Sequence, residues 1–124
     1  MKELITGGLP TPPQPFSWAI RSSGLLFVTH GPVQADGTIL QASIEEQTEL
    51  TLNNFIATLD DVGADLSAMV QMTVFLIDGA HMSRVDTVYG RYFTAPYPNR
   101  ASLIVAGLVA PGMMIEIQGI ADLS

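Results

Sequence analysis

The chain has 124 residues, a net charge of −7, 48% apolar residues and only 14% charged ones. That length holds one hydrophobic core, and residues 1–124 are expected to form one domain. An acidic chain with no Lys/Arg cluster is a poor partner for nucleic acid, and a chain without cysteine has no disulfide framework or thiol chemistry. So much apolar side chain on a small domain predicts a homo-oligomer that buries a sheet face or edge. The first residues, Met1 to Pro13, lack the apolar core of a signal peptide. The apolar run from Leu103 to Ile115 is broken by Gly107, Pro111 and Gly112, so no membrane span is expected and the protein reads as cytoplasmic.

The run Pro10 to Pro15 is a stiff extended lead-in, because proline removes donors and holds an extended path. Phe16–Ser22 and Leu25–Thr29 flank Ser23-Gly24 and predict a hairpin. Gly31-Pro32 ends the second strand, Asp36-Gly37 marks a turn, and Thr38–Gln41 reads as extended. Ser43 with Glu46 fits a capping box and opens a helix. Its apolar positions Leu52, Phe55, Ile56, Leu59 and Val62 recur at helical spacing, and Gly63 stops it. Glu45, Glu46 and Glu49 fall in its early turns and read as a solvated face. Ala68–Ile77 is a strand apolar on both faces, hence central. Met82, Val85, Tyr89, Tyr92 and Phe93 mark a second amphipathic helix, which Pro96 and Pro98 end.

The last quarter reads as two strands, Arg100–Ala106 and Met113–Ile120, joined through Gly107–Gly112. If they pair as a hairpin centred near Leu108, Arg100 stands roughly opposite Glu116, with Ser102 beside them. Spacing leaves two readings of that pair: a plain cross-strand ion pair, or an arginine that forks a carboxylate ligand while the glutamate handles a water or proton. The element order is ββαβαββ, an α+β mixed sheet with both helices on one face. No P-loop, G-x-G-x-x-G or H-E-x-x-H is present, and His30 and His81 have no ligand-like spacing, so neither cofactor nor metal is expected.

The strings Asn99-Arg-Ala-Ser-Leu-Ile-Val105 and Ile115-Glu-Ile-Gln-Gly-Ile-Ala121, with Val70–Asp78 and Val88–Phe93 before them, resemble the RidA/YjgF/UK114 family of small imine deaminases. The resemblance covers nearly the whole chain. It implies a chorismate-mutase-like fold, a homotrimer with sites between subunits, and a cofactor-free deaminase that hydrolyses reactive enamines or 2-imino acids to 2-keto acids and ammonia. It also implies that Arg100 binds the substrate carboxylate and Glu116 positions the water. The alternative on the same fold is a non-catalytic binder or sensor of small keto or amino acids. Further ligand-facing positions implied by the family are Phe16, His30, Gly31, Asp86 and Ser102. Phe16 stands for a tyrosine, His30 for a serine, Asp86 for an asparagine and Ser102 for a cysteine. His30 has two readings: its imidazole replaces the lost hydroxyl as donor or proton carrier, or it is an ordinary strand-end histidine. These replacements imply the same anchor with a different or narrower substrate.

Overall fold

The structure is a computed structural model that describes residues 1–124. Its strands are β1 (Glu3–Ile5), β2 (Ala19–Ser22), β3 (Leu25–His30), β4 (Met69–Leu76), β5 (Asn99–Ile104) and β6 (Ile115–Asp122). The helices are α1 (Ile44–Asp60) and α2 (Met82–Tyr92). All six strands form one mixed sheet in the order β1-β2-β3-β6-β4-β5. Only β4 and β5 pair in parallel, as expected for neighbours joined through a helical crossover.

The hairpin of β2 and β3 turns at Ser23-Gly24, both at positive φ (54° and 75°). Ser43 caps α1 as the capping-box spacing predicts. Its hydroxyl accepts from the Glu46 amide at 3.1 Å and donates to the Glu46 carboxylate at 3.0 Å. Gly63, at φ 72°, takes the left-handed position beyond the helix end. Leu52, Phe55 and Leu59 of α1 and Val85 and Tyr89 of α2 bury against Val28, Met72, Val74, Ile115 and Ile117 of the sheet. Both helices therefore lie on one face. The acidic turns of α1 are not merely solvated: Glu45 meets Arg84 at 3.5 Å and Glu49 meets Arg91 at 3.6 Å. These exposed pairs contribute little to stability.

Two features depart from expectation. A short N-terminal strand, β1, pairs with β2. More consequentially, β5 and β6 do not form a hairpin, because β4 lies between them. Strand β6 pairs antiparallel with both β3 and β4. Its helix-side residues, Ile115, Ile117, Gly119 and Ala121, are buried and suit the middle of the sheet. A Cβ on Gly119 would stand 2.9 Å from the Gln71 carbonyl oxygen, so the close approach of β4 and β6 requires glycine there.

The segment Val105–Met114 that carries the chain from β5 to β6 is pinned by Gln47 of α1. The buried amide of Gln47 donates to the carbonyls of Leu40 and Gly112, each at 2.9 Å, and accepts from the Met114 amide at 2.9 Å. Gln47→Leu removes all three bonds and orphans buried backbone groups. It should lower the unfolding free energy by roughly 3 kcal/mol, read from the urea midpoint.

The face of the sheet away from the helices carries Leu4, Phe27 and Leu103, exposed by 60%, 43% and 41%. No helix is long and apolar enough to cross a membrane.

Candidate functional site

Strand β5 is an edge strand, so its side chains meet solvent more readily than those of its neighbours. Arg100 pairs with Met72 of β4, whose side chain is buried under the helices, so Arg100 also projects to the helix side. There it meets α2. Its Nη2 donates to Asp86 Oδ1 at 2.7 Å, and its guanidinium lies 4.7 Å from the centroid of the Tyr89 ring. The ring is itself stacked on Phe93, with centroids 4.4 Å apart. Stacking on an aromatic face leaves the guanidinium edge free to donate. The side chain is 24% exposed. Ser102, two residues on, shares this face and is exposed. Burial pushes the Tyr89 phenol up to about 12, with the nearby Arg100 charge acting in the opposite sense. The Tyr89 hydroxyl is buried without a hydrogen-bond partner.

Glu116 is not opposite Arg100. It pairs with Phe75 of β4 and projects to the open face, away from the helices. Two strand spacings, roughly 10 Å, separate the strands that carry Arg100 and Glu116. The expected cross-strand pair does not form, because β4 intervenes and the side chains leave opposite faces of the sheet. The Glu116 carboxylate makes no hydrogen bond or ion pair, and burial pushes its carboxyl above the ordinary range.

The remaining predicted residues sit near β2 and β3. His30 projects to the helix side and is completely buried. Its Nε2 lies 2.7 Å from the Thr58 hydroxyl, its ring stacks on Trp18 at 5.9 Å, and its edge meets Phe55 at 5.2 Å. Of its two readings, the packing of α1 over β3 favours the structural one: within one chain it is a core histidine. Burial lowers its pKa to about 4, and Nδ1 has no partner. Gly31 is buried, its carbonyl accepts from the Asn54 side chain at 3.1 Å, and a Cβ there would run into Met113. Packing accounts for this glycine without a ligand. Phe16 is 48% exposed and meets Trp18 edge-on at 4.9 Å, so it presents its ring at the surface above the His30 stack.

Within one chain the predicted residues thus separate into three places. Arg100, Asp86 and Ser102 meet at the β5 edge, Glu116 stands on the open face, and Phe16, His30 and Gly31 lie around β2 and the end of β3. Sequence reasoning missed Tyr89 as a site residue, reading it only as part of the apolar stripe of α2. Its signal was the spacing Asp86–Tyr89, three residues apart on one helix face, which sets an anion and a ring side by side. No group of acidic residues or histidines is placed to hold a metal.

A mixed six-stranded sheet with two helices on one face defines an α+β protein, here with an arginine shelf at the β5 edge. The Endoribonuclease L-PSP family pattern matches residues 7–123. The chain belongs to that family, the RidA/YjgF proteins. Among its relatives, Reactive Intermediate Deaminase A, chloroplastic, of Arabidopsis thaliana is 37% identical over 98% of this chain and 66% of that protein. The chain thus spans about two thirds of that relative's length. The structure of the Rid-family protein YyfA from Yersinia pestis is 31% identical, with a TM-score of 0.90 over 98% of this chain and 99% of that one. Escherichia coli TdcF, solved with bound serine, is 28% identical, with a TM-score of 0.88 over 98% and 99% of the two chains.

Proposed function

We propose that the protein is a cofactor-free deaminase of small 2-imino acids or their enamine tautomers, working as a homotrimer with its sites between subunits. The observation that carries this reading is the Arg100 guanidinium. It lies over Tyr89 at the sheet edge, partly exposed, with Asp86 engaging only Nη2, which leaves N–H groups for a ligand carboxylate. The family relationship, including a relative named as a reactive-intermediate deaminase, supports the chemistry. The net charge of −7 gives no attraction for a phosphate backbone, which favours a small-molecule substrate over RNA.

Arg100 and Glu116 leave opposite faces of one sheet, so a small ligand touching both takes them from two copies. The exposed apolar residues of the open face, Leu4, Phe27 and Leu103, support burial against another copy. In the assembled cleft Arg100 grips the substrate carboxylate. Glu116, its carboxyl pushed above the ordinary range by burial, accepts a proton from a water as its oxygen bonds to the imine carbon. Glu116 passes that proton to nitrogen, the proton of the new hydroxyl follows by the same route as the carbon–oxygen double bond forms, the carbon–nitrogen bond breaks, and ammonia leaves behind a 2-keto acid. Imines of this kind hydrolyse readily in water, so positioning supplies much of the acceleration.

The test is to add purified protein to a pyridoxal-phosphate dehydratase reaction and follow 2-keto-acid release. Acceleration is expected, with a solution mass of three chains by light scattering. Glu116→Gln keeps the shape and removes the base, and should lower kcat about 100-fold while leaving KM nearly unchanged. An unchanged kcat removes Glu116 from the chemistry. A second reading, a non-catalytic binder of small carboxylates, is favoured by one observation: Asp86 already occupies part of Arg100. It predicts thermal stabilisation by keto or amino acids with no turnover.

A further inference from the structure

Arg100 already has an anion beside it. Asp86 Oδ1 takes an N–H of Nη2 at 2.7 Å and is the guanidinium's one ion-pair partner. Asp86 does not cover the arginine. It makes a single contact rather than a two-pronged fork, and 48% of its side chain stays exposed. Tyr89 lies against the guanidinium face, so the open positions are along the guanidinium edge, next to the exposed carboxylate. The arginines of α2 have acidic partners on α1, Glu45 for Arg84 and Glu49 for Arg91. The mouth of the shelf therefore carries one positive and one negative group side by side, with the neutral Ser102 on the same face.

We propose that Asp86 is a specificity-determining residue. It makes the shelf a receptor for small zwitterions, which carry a carboxylate and a protonated nitrogen on one carbon, in preference to plain carboxylates. The inference rests on the reading of Arg100 as the carboxylate anchor. A ligand carboxylate on the free guanidinium edge stands close to Asp86, and two like charges that close repel. A protonated nitrogen on the same ligand turns this repulsion into a charge-assisted hydrogen bond to Asp86. A protonated 2-imino acid carries the same pair of charges, and it is the form of the imine that water attacks most readily. Asp86 would then select the reactive protonation state of the substrate as well as its class.

L-Alanine and propionate separate the two cases, since they share a carbon skeleton and differ by the ammonium group. Binding is measured by calorimetry for the wild type, Asp86→Asn and Arg100→Ala. The wild type is expected to bind alanine at least tenfold more tightly than propionate. Asp86→Asn should bring the two affinities together, chiefly by gaining propionate, and Arg100→Ala should bind neither. Equal affinities in the wild type overturn the proposal, as does a preference for alanine that survives in Asp86→Asn. So does a wild type that takes up neither ligand at millimolar concentration. The anchor reading is judged separately. If Arg100→Ala binds both ligands like the wild type, the anchor is lost, whereas failure of the Asp86→Asn arm alone leaves Arg100 in place.

Discussion

Arg100→Ala should abolish the acceleration of keto-acid release, lowering kcat/KM by at least about 100-fold, while the protein stays folded. The size follows from losing a charge-assisted, two-pronged contact to the substrate, worth roughly 3 kcal/mol. The change in stability should be much smaller. Arg100 meets Asp86 at a partly exposed edge, and ion pairs of that kind contribute about 1 kcal/mol or less. A large loss of activity beside a small shift in the urea midpoint therefore marks a ligand-binding role. Arg100→Lys is the companion variant: it keeps the charge but not the planar fork, so it should recover only part of the rate. Full activity in Arg100→Ala would remove the anchor and the proposed mechanism with it.

Acid should destabilise the fold through His30, and the sign follows from its burial. The folded pKa is lowered from 6.5 to about 4 because the core disfavours the charged ring. Between these values the unfolded chain binds a proton that the folded protein refuses. Stability from this group is complete above pH 6.5 and is lost progressively as pH falls toward 4. The loss amounts to roughly 3 kcal/mol by the bottom of that window. Urea midpoints measured from pH 7 to pH 4 should fall more steeply in the wild type than in His30→Leu. The variant is expected to start lower, since Thr58 loses its partner, but to lack this component of the slope. Parallel slopes would show that His30 titrates as a solvated histidine and that its seat between Trp18 and Phe55 opens.

Local chemistry explains which parts of the fold could be read from the chain. The Ser43–Glu46 cap, the Gly63 stop and the turn at Ser23-Gly24 are decided by neighbours within a few residues, and each forms as its residues suggest. The apolar residues on both faces of Ala68–Ile77 likewise placed β4 in the interior of the sheet, although Val70 and Ile77 remain exposed within one chain. Strand β1 was not visible, because a short segment near the N-terminus exists only through its pairing with β2. The site divided along the same line. Arg100, Glu116, Asp86 and Ser102 were identifiable as residues, but their mutual positions were not.

Spacing along a strand states which side chains share its faces, and nothing more. Composition, caps and periodicities were enough to establish an acidic α+β chain with two amphipathic helices and an arginine on a strand near the carboxyl end. Strand order was beyond them, since inserting β4 between β5 and β6 depends on contacts among residues far apart in the chain. That insertion puts Glu116 on one side of the sheet and Arg100 on the other. The same long-range packing closed α1 over His30, which buries it as a core residue, and brought Asp86 and Tyr89 of α2 up against Arg100.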